Sequence, residues 1–106
     1  SMTWILDGLA SEIKMVHSGA AAVELARNWS PAVVLCDIGM PGMDGYETCR
    51  RLREVPGMER AVIAAVSGYG GEEDRRRSRD AGFDRHLVKP VGQEDLELLV
   101  RSARGG

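Results

Sequence analysis

The chain has 106 residues, 43% hydrophobic and 28% charged, with a formal net charge of -2 and a pI of about 5.7. That is one small domain with enough apolar residues for a core, and its charge balance gives no electrostatic case for nucleic acid or a membrane surface. No apolar run approaches the roughly 20 residues of a membrane span and none reads as a secretory signal, so a cytoplasmic location is expected.

Taken in chain order, Trp4, Ile5 and Leu9 recur at helical spacing, which predicts the end of a helix over Trp4 to Leu9. Ile13 to His17 alternates apolar and polar residues, as a short edge strand does. Gly19 to Trp29 is Ala-rich with Ala22, Leu25, Ala26 and Trp29 on one stripe, hence a helix. Val33 to Cys36 is a continuous apolar strand, buried on both faces. Gly39, Pro41, Gly42 and Gly45 make Ile38 to Gly45 a loop, after which Asp44 and Glu47 form a capping pair for a helix over about Tyr46 to Val55. Pro56-Gly57 ends that helix, strand 61–66 follows, and Gly68 to Gly71 is a loop.

The next helix opens with Glu72, Glu73 and Asp74 and continues with Arg75, Arg76, Arg77 and Arg79, the charge order a helix dipole favours. The arginine run reads as a solvated helix face, because the acids before it cancel much of its field. Gly82 suits the left-handed position that closes the helix. Asp84 to Val88 is the last strand, and Gln93 to Arg104 the last helix, with Leu96, Leu99 and Val100 inward. Strands and helices alternate through short links, which argues a doubly wound α/β sheet. Cys36 and Cys49 form neither a CxxC nor a Cys/His cluster, and read as buried, reduced thiols.

Three apolar runs end on reactive groups. Val33 to Cys36 leads into Asp37, Ala61 to Val66 into Ser67, and Leu87-Val88 into Lys89-Pro90. In an open parallel sheet the carboxyl ends of neighbouring strands converge on one crevice, the usual ligand site. A carboxylate, a hydroxyl and an ammonium gathered there suit a phosphoryl group.

The run from Val33 to Glu47, with Asp37-Ile38-Gly39-Met40-Pro41-Gly42-Met43-Asp44-Gly45 at its centre, closely resembles the phosphorylation segment of response-regulator receiver domains. Ala65-Val66-Ser67-Gly68 and Leu87-Val88-Lys89-Pro90 match that family's hydroxyl and lysine motifs in order. The resemblance spans about Ser1 to Ala103. It implies a flavodoxin-like doubly wound parallel sheet, with five strands in the complete family fold. It also implies that Asp37 takes a phosphoryl group from a histidine kinase or histidine phosphotransfer domain. Ser67 would hydrogen-bond a phosphoryl oxygen, Lys89 would ion-pair with it, and Asp37 and the Gly39 carbonyl would serve as Mg²⁺ ligands. His86 falls where the family often places an aromatic switch residue, paired in function with Ser67. Lys89-Pro90 is expected to be cis. Lys89 is expected as a mostly solvated charge facing the crevice.

The resemblance also exposes a departure. Receivers begin with a buried strand ending in two acidic residues that hold Mg²⁺, and this sequence shows neither. The Mg²⁺ site is therefore expected to be incomplete. Strand 13–17 and strand 33–37 should flank a gap, filled either by residues ahead of Ser1 or by strand exchange in a homodimer. The leading function is phosphoacceptor signalling, with a downstream protein partner on the 72–104 face. The alternative is a degenerate receiver acting as a phosphorylation-independent interaction module. A phosphohydrolase with Asp37 as nucleophile is disfavoured, since such enzymes usually carry a second Asp two residues on, where this chain has Gly39.

Overall fold

The structure is a computed structural model that describes residues 3–6, 13–16, 18–29, 31–38, 45–68 and 70–105. Nine elements run in the order β1 (Thr3–Leu6), β2 (Ile13–Val16), α1 (Gly19–Trp29), β3 (Val33–Asp37), α2 (Gly45–Glu54), β4 (Val62–Ser67), α3 (Glu72–Ala81), β5 (Arg85–Val88) and α4 (Gln93–Gly105). They build a five-stranded sheet of order β2-β1-β3-β4-β5. β3, β4 and β5 are parallel neighbours, joined by helical crossovers.

β3 is buried along its whole length, and alternation divides its side chains between two cores. Val34 and Cys36 join Ala22, Ala26, Leu52, Met58, Ile63, Ala65, Ala81 and Phe83, beneath α1, α2 and α3. Val33 and Leu35 join Ala64, Val66 and Leu99, with Leu96 and Val100 of α4 packed alongside. A strand with helices on both faces must be apolar at successive positions, which is what Val33 to Cys36 supplies.

The helix ends follow local chemistry. Ser18 caps α1, its Oγ accepting the Ala21 N–H at 3.0 Å. The Gly92 N–H donates to Asp95 Oδ2 at 3.0 Å at the start of α4. Gly82 stands at φ 106°, and its N–H and that of Phe83 donate to the Arg79 and Ser78 carbonyls to end α3. The Arg53 guanidinium ties α2 to the rest of the sheet. It donates to the Gly82 carbonyl at 2.8 and 3.0 Å, to the Ala61 carbonyl at 2.8 Å and to Asp84 Oδ2 at 2.6 Å. Asp84 Oδ2 also accepts the Ile63 N–H at 2.9 Å.

The N-terminal segment departs from expectation. Residues 4–6 are not the end of a helix; Thr3–Leu6 is a strand, β1, lying between β2 and β3. It occupies the gap expected between those two strands, so their facing edges are paired. It does so in reverse: Thr3 pairs with Cys36 and Leu6 with Val33, antiparallel to β3. β1 therefore leaves the sheet at the end opposite Asp37, and its carboxyl end adds nothing to the crevice. The helix expected over 46–55 begins at Gly45, and the strand expected over 61–66 runs from Val62 to Ser67. Asp44, expected to cap α2, lies outside the described residues.

Candidate functional site

Asp37, Ser67 and Lys89 meet at the carboxyl ends of β3, β4 and β5. Their relative heights are set by backbone bonds just past the strands. Asp37 pairs with Val66 in the parallel ladder, the Ile38 N–H donates to the Val66 carbonyl at 2.9 Å, and the Lys89 N–H to the Ser67 carbonyl at 2.8 Å. The Lys89-Pro90 bond is cis, as expected. Gly45 lets α2 start hard against Ile38. A Cβ there would fall 2.5 Å from Ile38 Cγ2 and 3.2 Å from its Cα, so a side chain would displace the backbone beside Asp37.

Asp37 is 2% exposed, and Lys89 Nζ stands 2.6 Å from its Oδ2. Burial of a carboxylate is expensive unless a cation or hydrogen bonds meet it, and the ammonium does so here. The Lys89 side chain is 43% exposed although its ammonium is bound to a buried partner. The expected solvated charge is instead half of an ion pair.

Ser67 is 4% exposed, and its Oγ lies 3.0 Å from Nε2 of His86 on β5. Nδ1 of the same ring lies 2.8 Å from Oγ of Ser78, a 1% exposed residue of α3 whose hydroxyl also donates to the Asp74 carbonyl at 3.0 Å. Ser67 and His86, expected to act together, are thus in direct contact. Ser78 was not singled out in the sequence. The available signal was its place as a small polar residue three positions before Ala81, on the sheet-facing side of an otherwise charged helix.

The arginine run of α3 is exposed, as a solvated face should be, and its members find local partners. Arg75 Nε donates to the Gly70 carbonyl at 2.9 Å, Arg76 pairs with Glu73 at 2.6 Å, and the Arg77 guanidinium lies 4.4 Å from the Tyr46 ring centre. Cys36 and Cys49 are buried and are not joined in a disulfide, and desolvation pushes the Cys49 thiol up to about 11.

Among the described residues, no three His, Cys, Asp or Glu side chains are grouped to hold a metal ion. Gly39, the expected carbonyl ligand, lies outside the described residues. Mg²⁺ asks for near-octahedral oxygen ligands and commonly one or two carboxylates. Asp37 provides a single carboxylate to the three strand ends of the crevice, and one of its oxygens is already held by the Lys89 ammonium. The described residues do not fit a Mg²⁺ site.

A family model for the response regulator receiver domain matches residues 1–101. The chain is 36% identical over 104 residues to the nitrate/nitrite response regulator protein NarL of Escherichia coli K12, covering 95% of this chain and 47% of that protein. It is 31% identical over 100 residues to an uncharacterized 14.6 kDa protein of Leptolyngbya boryana, covering 94% of this chain and 76% of that one. Among solved structures it resembles the receiver domain of a sensor histidine kinase from Pseudomonas aeruginosa PAO1. That likeness has a TM-score of 0.72 at 27% identity, and covers 86% of this chain and 75% of that chain. The Pseudomonas domain carries a magnesium ion in its active-site cleft.

Proposed function

We propose, since the chain belongs to the response regulator receiver domain family, that Asp37 accepts a phosphoryl group from the phosphohistidine of a histidine kinase or histidine phosphotransfer domain. The observation that carries this reading is the 2.6 Å pairing of a buried strand-end carboxylate with Lys89, with Ser67 ending the strand between them. A buried carboxylate held by a cation with a half-exposed side chain is oriented yet reachable.

In the transfer, an Asp37 carboxylate oxygen forms the new P–O bond as the donor's P–N bond breaks, and the departing imidazole nitrogen keeps that electron pair. The phosphoryl oxygens bring more negative charge than the carboxylate alone. The Lys89 ammonium then turns from the carboxylate to a phosphoryl oxygen, and the Ser67 hydroxyl donates to another. Catalysis of this kind is positioning and charge compensation, with little covalent chemistry for the protein.

Residues 1–106 act in this reading as one receiver unit in the cytoplasm; no helix among the described residues is long and apolar enough to cross a membrane. Its downstream partner is a protein docking on the α3–β5–α4 side, where Arg75, Ser78, Arg79, Phe83, Arg85 and His86 line a cleft of about 220 Å³. The bound magnesium ion belongs to the Pseudomonas domain; among the described residues Asp37 alone brings a carboxylate to the strand ends of the crevice, which favours, as the second reading, a phosphorylation-independent interaction module.

Intact mass after treatment with acetyl phosphate and Mg²⁺ separates the two. The phosphoacceptor reading expects one added phosphoryl group, absent in Asp37→Asn, which keeps the shape but cannot form the acyl phosphate. An adduct that persists in Asp37→Asn overturns the assignment. No adduct on the unaltered chain favours the interaction module.

A further inference from the structure

A serine hydroxyl carries a single hydrogen, and this decides the polarity of the chain of bonds running from α3 to the crevice. The Asp74 carbonyl can only accept, so the hydrogen of Ser78 points to it at 3.0 Å. Ser78 Oγ can then meet His86 Nδ1, 2.8 Å away, only as an acceptor, so Nδ1 carries the ring hydrogen. In a neutral imidazole the other nitrogen is then a lone pair. Nε2 accepts, and the group it accepts from is the Ser67 hydroxyl at 3.0 Å. Every member is at least partly buried, which makes each bond costly to leave unmade.

We propose that Ser78 is a positioning residue: by fixing the tautomer of His86, it holds the hydroxyl hydrogen of Ser67 on the imidazole and off the phosphoryl site. The same hydrogen cannot serve both. When a phosphoryl oxygen takes it, Nε2 loses that donor, and the pairing of the ring with Ser67 and Ser78 changes. Occupancy at Asp37 is thereby transmitted to α3 and to the cleft that His86 and Ser78 line. The tautomer half of this inference stands on the hydrogen bonds alone; the coupling half rests on the phosphoacceptor reading.

The test is ¹⁵N spectroscopy of the histidine rings in the unphosphorylated chain, under conditions where they are neutral, with His17→Gln assigning the remaining signals to His86. The expected result is a protonated Nδ1 and a lone-pair Nε2. In Ser78→Ala this pattern should be lost, the hydrogen moving to Nε2, where it donates to Ser67 Oγ; Ser78→Thr, which keeps the hydroxyl, should restore it. An Nε2-protonated ring in the unaltered chain, or a tautomer unmoved by Ser78→Ala, overturns the inference. The coupling is read separately with acetyl phosphate. Freeing one neutral hydrogen bond should let Ser78→Ala take a phosphoryl group about three- to tenfold faster, with Ser78→Thr at the original rate. An unchanged rate in Ser78→Ala overturns the coupling. Since the ring measurement involves no phosphoryl group, it holds or fails independently of whether Asp37 is an acceptor.

Discussion

Asp37 has almost no exposure, and the ammonium of Lys89 lies 2.6 Å from its Oδ2, so each charge depends on the other. Removing Lys89 leaves a buried carboxylate short of a cation. Fully buried pairs lose about 3–5 kcal/mol in this way, and the partial exposure of Lys89 reduces that to about 1–2 kcal/mol. Lys89→Ala should therefore lower unfolding stability by that amount in urea titrations, and Asp37→Asn should restore most of it in the double variant. Additive losses in the cycle would deny the coupling. Cys49 offers a pH-dependent test. Its folded-state value of about 11 lies above the ordinary thiol value of 9.0 because burial disfavours the thiolate. The folded chain holds this proton while the unfolded chain releases it, so the stability is complete below about pH 9 and falls as pH rises toward 11. The loss, roughly 2 kcal/mol, should be missing from the pH profile of Cys49→Ala. Asp37, Ser67 and Lys89 were legible because an apolar run that ends on a polar residue marks a strand end. Ser78 was not, because a lone hydroxyl among charged helix residues reads as surface until β5 brings His86 against it.

The elements themselves were read with uneven success. α1 and α3 match their expected spans, because an alanine stripe defines one and an acidic start with Gly82 defines the other. β1 was misread. Trp4 and Ile5 fit a helical spacing with Leu9, and a run of this length cannot decide between periods. Thr, Ile and Trp in Thr3–Leu6 are good strand formers, but the pairing that fixes them comes from β2 and β3, distant in sequence. The Arg53 staple was equally invisible, since its acceptors Ala61, Gly82 and Asp84 are assembled only by the fold. Arg53→Ala should cost about 2 kcal/mol by thermal or urea unfolding, through carbonyls that lose a charged donor. Arg53→Lys should recover little, because an ammonium cannot reproduce the planar fork. Full recovery by lysine would show that charge alone matters there.

At the scale of the whole molecule, helix alternation and short links led correctly to a doubly wound α/β sheet, and to the crevice at its carboxyl edge. The gap expected beside β3 is instead filled by β1, running against its neighbours. An open pair of edges invites any strand that can bond to it, and the direction of that strand is written in contacts that no local pattern reveals. The reversal also explains why the crevice is built from β3, β4 and β5. Among the described residues, Asp37, Ser67 and Lys89 lie at that edge, and we propose Asp37 as the phosphoryl acceptor. Trapping the acyl phosphate tests this most directly: the chain is treated with acetyl phosphate, reduced with borohydride, and mapped by peptide mass spectrometry. Reduction should convert the phosphorylated aspartate to homoserine at position 37 and nowhere else. Homoserine at another position, or none in a chain that has gained a phosphoryl group, would contradict it.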